Sequence, residues 1–131
     1  MRQLTLIDND IKDLDFEVEE GEELKLDFAA FSNFPSAKVN VNVKNGGSFR
    51  GAFADFSNGS GKFEINVNLS EGASCKWNLS SLSKNSDRKI FSTSCFHKEK
   101  GSSGLMSNYG ICQDNSRLTF TGVSSTEKYA A

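Results

Sequence analysis

Three stretches of this sequence align without a gap: GEELKLDFAAFS at residues 21–32, GGSFRGAFADFS at residues 46–57 and GASCKWNLSSLS at residues 72–83. The copies begin 25 and then 26 residues apart. Within each copy apolar and polar residues alternate, which is the pattern of a β-strand with one buried face. The nearly constant spacing places like residues above like residues, as the stacked coils of a solenoid require.

The alignment groups apolar residues into columns that run across the coils. The first set of columns is Leu24, Phe49, Cys75; Leu26, Gly51, Trp77; Phe28, Phe53, Leu79; and Phe31, Phe56, Leu82. A second set maps Leu14, Phe16, Val18 onto Val39, Val41, Val43, then onto Ile65, Val67, Leu69, then onto Phe91, Thr93, Cys95. We therefore expect two short strands and two turns in each coil, with nearly all phenylalanines in the core.

These columns predict an all-β chain that folds as a right-handed parallel β-helix, or β-solenoid, with coils of about 25 residues. A single domain over residues 1–131 is expected, with regular coils at about 14–97 and a less regular final coil at 98–131 that carries a longer insert at KEKGSSG. A β-sandwich is the alternative, because short alternating strands separated by turns are also its pattern.

Composition and charge narrow the class of protein. The 131 residues contain no apolar run near the roughly 18 residues of a membrane span, so we expect a cytoplasmic protein with no membrane partner. The net charge is −2, and the first 23 residues hold nine acids and two bases. The basic residues of the remaining chain are spread along the sequence, which predicts no nucleic-acid partner.

The three cysteines are expected to be free thiols, since an odd number suits a reducing compartment. Cys95 and His97 lie two apart on one strand, and with Cys112 they are candidate ligands for zinc or an iron–sulfur centre. The alternative interpretation places Cys95 in the core and His97 at the edge of the strand, because free cysteine is commonly buried. Cys112 leaves the alternating pattern and is the expected exposed thiol.

The sequence predicts no catalytic site. A single histidine restricts any nucleophilic triad to His97, and the glycine-rich stretches do not precede helices as phosphate-binding loops do. Serine and asparagine occupy many of the outward positions, such as Asn40 and Asn66. A flat polar surface of this kind suits a binding module for protein or glycan, which is the alternative function that we carry forward.

The carboxy-terminal part of the chain resembles the SufB/SufD family. The resemblance rests on residues 91–124, where a strand ends in a histidine and is followed by a Ser-Asn segment and by the pattern G-hydrophobe-x-x-x-S-x-x-x-F-x-G. The matching residues here are His97, Ser107, Asn108, Gly110, Ile111, Ser116, Phe120 and Gly122. As a coiled pattern of strands, the resemblance extends over residues 20–128.

This resemblance implies a short SufD-like β-helix that serves as a non-enzymatic scaffold or accessory component of SUF-type iron–sulfur cluster assembly. The implied partners are a SufC-like ATPase and a SufB-like β-helix, in a homodimer or heterodimer. This function requires no cofactor. The alternative is that Cys95, His97 and Cys112 bind an iron–sulfur cluster. The family's helical regions and its interface Cys or His lie outside the stretch that matches.

Overall fold

The computed structural model describes residues 2–97 and 101–126, and nearly all of them lie in strands or in the turns between them. Its elements are β1 Arg2–Ile7, a 3-10 turn Asp8–Asp10, β2 Leu14–Val18, β3 Glu23–Ala30, β4 Ala37–Val43, β5 Ser48–Asp55, β6 Gly61–Leu69, β7 Ser74–Ser83, β8 Arg88–His97, β9 Ser103–Cys112 and β10 Arg117–Thr126. Within these residues no helix is long and apolar enough to cross a membrane.

The strands form two parallel five-stranded sheets. Sheet A has the order β1-β3-β5-β7-β9, and sheet B has the order β10-β8-β6-β4-β2. Because successive strands alternate between the sheets, the chain winds through about 5 turns of ~26 residues. The predicted parallel β-solenoid is thus confirmed, and the sandwich alternative is wrong. The first coil begins earlier than the predicted residue 14, since β1 pairs with β3.

The inward-facing residues of the predicted columns form the hydrophobic core. Leu24 pairs with Phe49 and Phe49 with Cys75, and each of these side chains is buried. The prediction was wrong for the fourth column, because Phe31 and Phe56 lie beyond the ends of their strands and are 55% and 49% exposed. Their rings stack on each other on the outside of the solenoid, with centroids 6.2 Å apart.

The register between β6 and β8 also differs from the prediction. Ile65 pairs with Thr93 and Leu69 pairs with His97, so the step between these strands is 28 residues rather than 26. A register shift of two residues leaves the same face of β8 inward. Each inward residue of β6 then pairs with the inward residue of β8 that follows the predicted one. His97 lies at the end of its strand as predicted, as the last residue of β8, but it pairs with Leu69 and its side chain is buried.

Left-handed glycines form one corner of the solenoid. Gly46 and Gly72 have φ angles of 66° and 69°, a conformation that costs least without a Cβ. Gly46 donates its N–H to the carbonyl of Glu71 in the next coil, so the corner itself is hydrogen-bonded between coils. This accounts for the glycine that opens each copy of the repeat.

A lysine lies inside the solenoid, which the alternation did not predict. Lys89 Nζ is fully buried and donates to Asp55 Oδ2 at 2.8 Å, to the Ser57 carbonyl at 2.6 Å and to the Leu82 carbonyl at 2.8 Å. The Asp55 carboxylate also accepts hydrogen bonds from the hydroxyl groups of Ser57 and Ser81. Every proton of the ammonium group is thereby satisfied, as burial of a charge requires.

Candidate functional site

The three predicted metal ligands separate into a buried pair and a distant third residue. Cys95 and His97 point into the solenoid, whereas Cys112 is exposed at the end of β9. Cys112 lies eight residues beyond Gly104, which borders Cys95, and this spans roughly 26 Å at the rise of an extended strand. Over residues 2–97 and 101–126 no three His, Cys, Asp or Glu side chains are grouped to hold a metal ion.

The buried pair is extended by a serine into a short relay. Cys95 Sγ lies 3.5 Å from His97 Nε2, and His97 Nδ1 lies 2.7 Å from Ser102 Oγ. When Nε2 accepts the proton of the thiol, Nδ1–H donates to the serine hydroxyl, which fixes the orientation of the ring. A nucleophile, a base and a group that orients the base are the parts of an activated thiol.

A second thiol, Cys75, approaches Cys95 from sheet A. Cys75 pairs in register with Gly104, and a Cβ placed on Gly104 would lie 2.8 Å from Cys95 Sγ. A hydrogen bond from the Cys75 thiol lowers the pKa of Cys95 from its usual 9.0, against an opposing effect of burial. The same hydrogen bond, together with burial, raises the pKa of Cys75. Of these two thiols, Cys95 is therefore the one that ionises first.

A cavity of about 370 Å³ opens beside Cys95 between β8, β9 and β10. Its lining combines small, apolar and polar residues: Thr93, Cys95, Gly104, Leu105, Met106, Asn108 and Gly122. The side-chain oxygen of Asn108 is buried and has no hydrogen-bond partner, which leaves one acceptor at the cavity free. The missing side chain at Gly104 keeps the space next to the sulfur open.

The outer face of sheet A carries a row of cations, because bases that are spread along the sequence stand side by side on neighbouring strands. Lys25 pairs with Arg50, and Arg50 pairs with Lys76, so three positive side chains stand on neighbouring strands. Grooves flank the row, and one of them is lined by all three cations and Asp27. In the described part of the chain, the ion pairs belong to other cations, namely Arg2, Lys38, Lys44, Lys62 and Lys89.

The asparagine-rich face of sheet B directs its hydrogen bonds along the sheet itself. Asn40 Nδ2 donates to Asp15 at 2.8 Å, Asn66 Nδ2 donates to Asn40 at 3.2 Å, and the Ser94 hydroxyl donates to Asn66. A parallel ladder joins Asn68 to Asn42 at 2.8 Å. Because these amides already bond to one another, this face offers a partner fewer free groups than the sequence predicted.

Sequence reasoning missed the cation row, the Cys75 contact and the role of Ser102. The row could have been found, since it lies one residue beyond the predicted column of Leu24, Phe49 and Cys75. The Cys75 contact depends on where the two sheets face each other, which alternation within one strand does not encode. Ser102 follows the insert between β8 and β9, whose path no repeat predicts.

No protein-family model matches this sequence, and comparison with curated proteins and with solved structures gives no match either.

Proposed function

We propose that this chain is a non-enzymatic scaffold that works through protein–protein contacts at the β9 end of its solenoid. The observation that carries the proposal is the character of β9, the last strand of sheet A. Over Ser103–Cys112 it contains no charged residue, and it exposes Leu105, Tyr109 and Ile111 by 57%, 65% and 46%. Long, uncharged edge strands are those that pair with another chain.

At the opposite end of the solenoid, the edge strand of sheet B has devices that oppose such pairing, whereas β1, the edge strand of sheet A, exposes Leu4 and Ile7. β2 is only five residues long and places Asp15 and Glu17 on its outward side. The 3-10 turn next to it adds Asp8 and Asp10. Charged and short edge strands discourage strand addition, and β1 has 6 residues against 10 in β9, so contacts are expected at the β9 end.

The proposed partner is another β-solenoid whose terminal coil continues the two sheets. Such a coil would pair its backbone with β9 and β10 and cover the exposed side chains of β9. The resemblance of residues 91–124 to the SufB/SufD family supports a SufB-like partner, with a SufC-like ATPase in the same cytoplasmic assembly for iron–sulfur clusters. A second copy of this chain would offer the same kind of surface.

Anaerobic co-purification from the native cell tests this function. We expect the wild-type chain to recover a SufB-like protein and a SufC-like ATPase, and Ile111→Lys to recover neither because a buried charge opposes docking. Ile7→Lys is the matched control, since Ile7 is exposed to a similar extent at the other end. A strict monomer by light scattering, with equal recovery by both variants, would refute the proposal.

A second candidate function is a solenoid module that binds an acidic glycan, and the cation row favours it. Like charges on directly opposed residues destabilise a sheet, and an anionic ligand on Lys25, Arg50 and Lys76 would remove that repulsion. The grooves beside the row give such a chain a place to lie. This function would be independent of iron–sulfur chemistry.

Affinity for a polyuronate column measures this second function. Changing Lys25, Arg50 and Lys76 together to Gln should abolish retention of the protein. Changing Lys38, Lys44 and Lys62 to Gln removes the same charge from residues that already pair with acids, and should leave retention intact. Equal loss in both triple variants would indicate non-specific charge. Retention on nucleic acid but not on polyuronate would also reject the glycan.

A further inference from the structure

We propose that Cys95 and Cys75 form a hydroperoxide-reactive thiol pair, in which Cys95 is the attacking thiol and Cys75 the resolving one. The inference does not depend on the scaffold function. It rests on four features of one region: two thiols that both border Gly104, an imidazole within reach of one sulfur, a cavity beside that sulfur and an unpartnered acceptor on the cavity wall.

The position of His97 determines which thiol attacks. Its Nε2 lies 3.5 Å from Cys95 Sγ, and its other ring nitrogen is held 2.7 Å from Ser102 Oγ. Cys75 instead lies on sheet A in the Leu24 and Phe49 column. Proton transfer to His97 therefore generates a thiolate at Cys95, and the thiolate is the reactive form.

The cavity fits a small hydroperoxide. Its volume of about 370 Å³ is larger than a water molecule needs, and Leu105 and Met106 give it an apolar side. The O–H of a hydroperoxide can donate to the free side-chain oxygen of Asn108. Because Gly104 has no side chain, the approach to Cys95 Sγ is not blocked from β9.

The chemistry has two steps. The Cys95 thiolate attacks the terminal oxygen of the hydroperoxide, an S–O bond forms, the O–O bond breaks, and the departing alkoxide takes the proton held by His97 and leaves as an alcohol. The Cys75 thiol then attacks the sulfenic acid at Cys95, an S–S bond forms, and the hydroxyl group leaves with the Cys75 proton as water. Two thiols are oxidised to one disulfide while one hydroperoxide is reduced to an alcohol and water.

The test oxidises the reduced, full-length protein anaerobically with one equivalent of tert-butyl hydroperoxide. We expect the count of free thiols to fall from three to one, with a Cys75–Cys95 cross-link in the peptide map. Cys112→Ser is the control and should retain the reaction. Cys75→Ser should stop at a sulfenic acid on Cys95 that dimedone labels, whereas Cys95→Ser should not react at the pair.

A second variant separates chemistry from folding. His97→Gln should slow the oxidation by about 100-fold at neutral pH, the usual effect of losing a general base, and the defect should shrink as the pH rises. A structural role alone would not give this recovery. Three thiols remaining after treatment, oxidation only at Cys112, or a pH-independent effect of His97→Gln would each overturn the proposal.

Discussion

Replacing Lys89 with Met should lower the free energy of unfolding by about 3–5 kcal/mol, the usual cost of removing one partner from a buried ion pair. Methionine is also unbranched and is one atom shorter than lysine, so packing changes little. What is lost are the three hydrogen bonds of Nζ, to Asp55, Ser57 and Leu82. The Asp55 carboxylate then stays buried without its counter-charge, which dominates the cost.

Urea unfolding followed by the fluorescence of Trp77 measures this loss. With a typical slope of about 2 kcal/mol per molar urea, the midpoint should fall by roughly 2 M. Since small domains unfold with only about 5–15 kcal/mol, the variant is expected to be marginally stable.

Two controls determine whether the reasoning holds. Lys38→Met removes an exposed cation that lies 3.7 Å from Glu64, and should change stability by less than about 0.5 kcal/mol. Adding Asp55→Asn to Lys89→Met should recover part of the loss, because the pair is coupled. If Lys89→Met costs less than about 1 kcal/mol, or no more than Lys38→Met, the buried pair does not stabilise the solenoid as argued.

Three further outcomes are expected. Gly51→Ala should destabilise the protein by about 1–3 kcal/mol and alter its fluorescence, because the new methyl group meets the ring of Trp77; an unchanged urea midpoint would contradict this. Alkylation of Cys95 by iodoacetamide, measured by peptide mass, should be half-maximal at a lower pH than for glutathione, and a midpoint at or above that of glutathione would refute the lowered pKa. Hydrogen bonds from the backbone N–H groups of Phe31 and Ser32 lower the pKa of Asp8 from 3.8, so its stabilising effect is present above that pH and is lost as the pH falls through the lowered value. The stability gap between wild type and Asp8→Ala should thus narrow in acid, and thermal unfolding at pH 7 and pH 2 that gives the same gap would show that the carboxylate does not act this way.

The architecture could be predicted because both of its signals can be read directly from the sequence: alternation within each strand and nearly constant spacing between the copies. Leu24, Phe49 and Cys75 follow from copies that start 25 and 26 residues apart, and the register agrees with them residue by residue. The same reasoning was wrong where the connection between strands is longer, as between Ile65 and Thr93. Two additional residues shift the register but keep the alternation of inward and outward residues, so the sequence pattern does not reveal them.

The candidate site was predictable only in part. Cys95 and His97 could be placed on one face, but Cys75 joins them from the opposite sheet, and Cys112 does not join them. The burial of Lys89 could not be predicted either, because Asp55, with which it forms an ion pair, lies 34 residues earlier in the chain. Contacts across the interior depend on which levels of the two sheets face each other, and no pattern within one strand specifies that.

Under the proposed function, the unlike ends of the solenoid would limit how large an assembly of this chain can become. A filament needs each subunit to bind a neighbour at both ends, through a head-to-tail contact that repeats without closing. Here the acidic end of β2 opposes such a contact, while the uncharged β9 favours one. Self-association restricted to the β9 end stops at two subunits, and their β9 strands would run antiparallel across a two-fold axis. If the proposed β9 contact forms, Asp15 and Glu17 on β2 would oppose the addition of further β-coils at the other end of the solenoid.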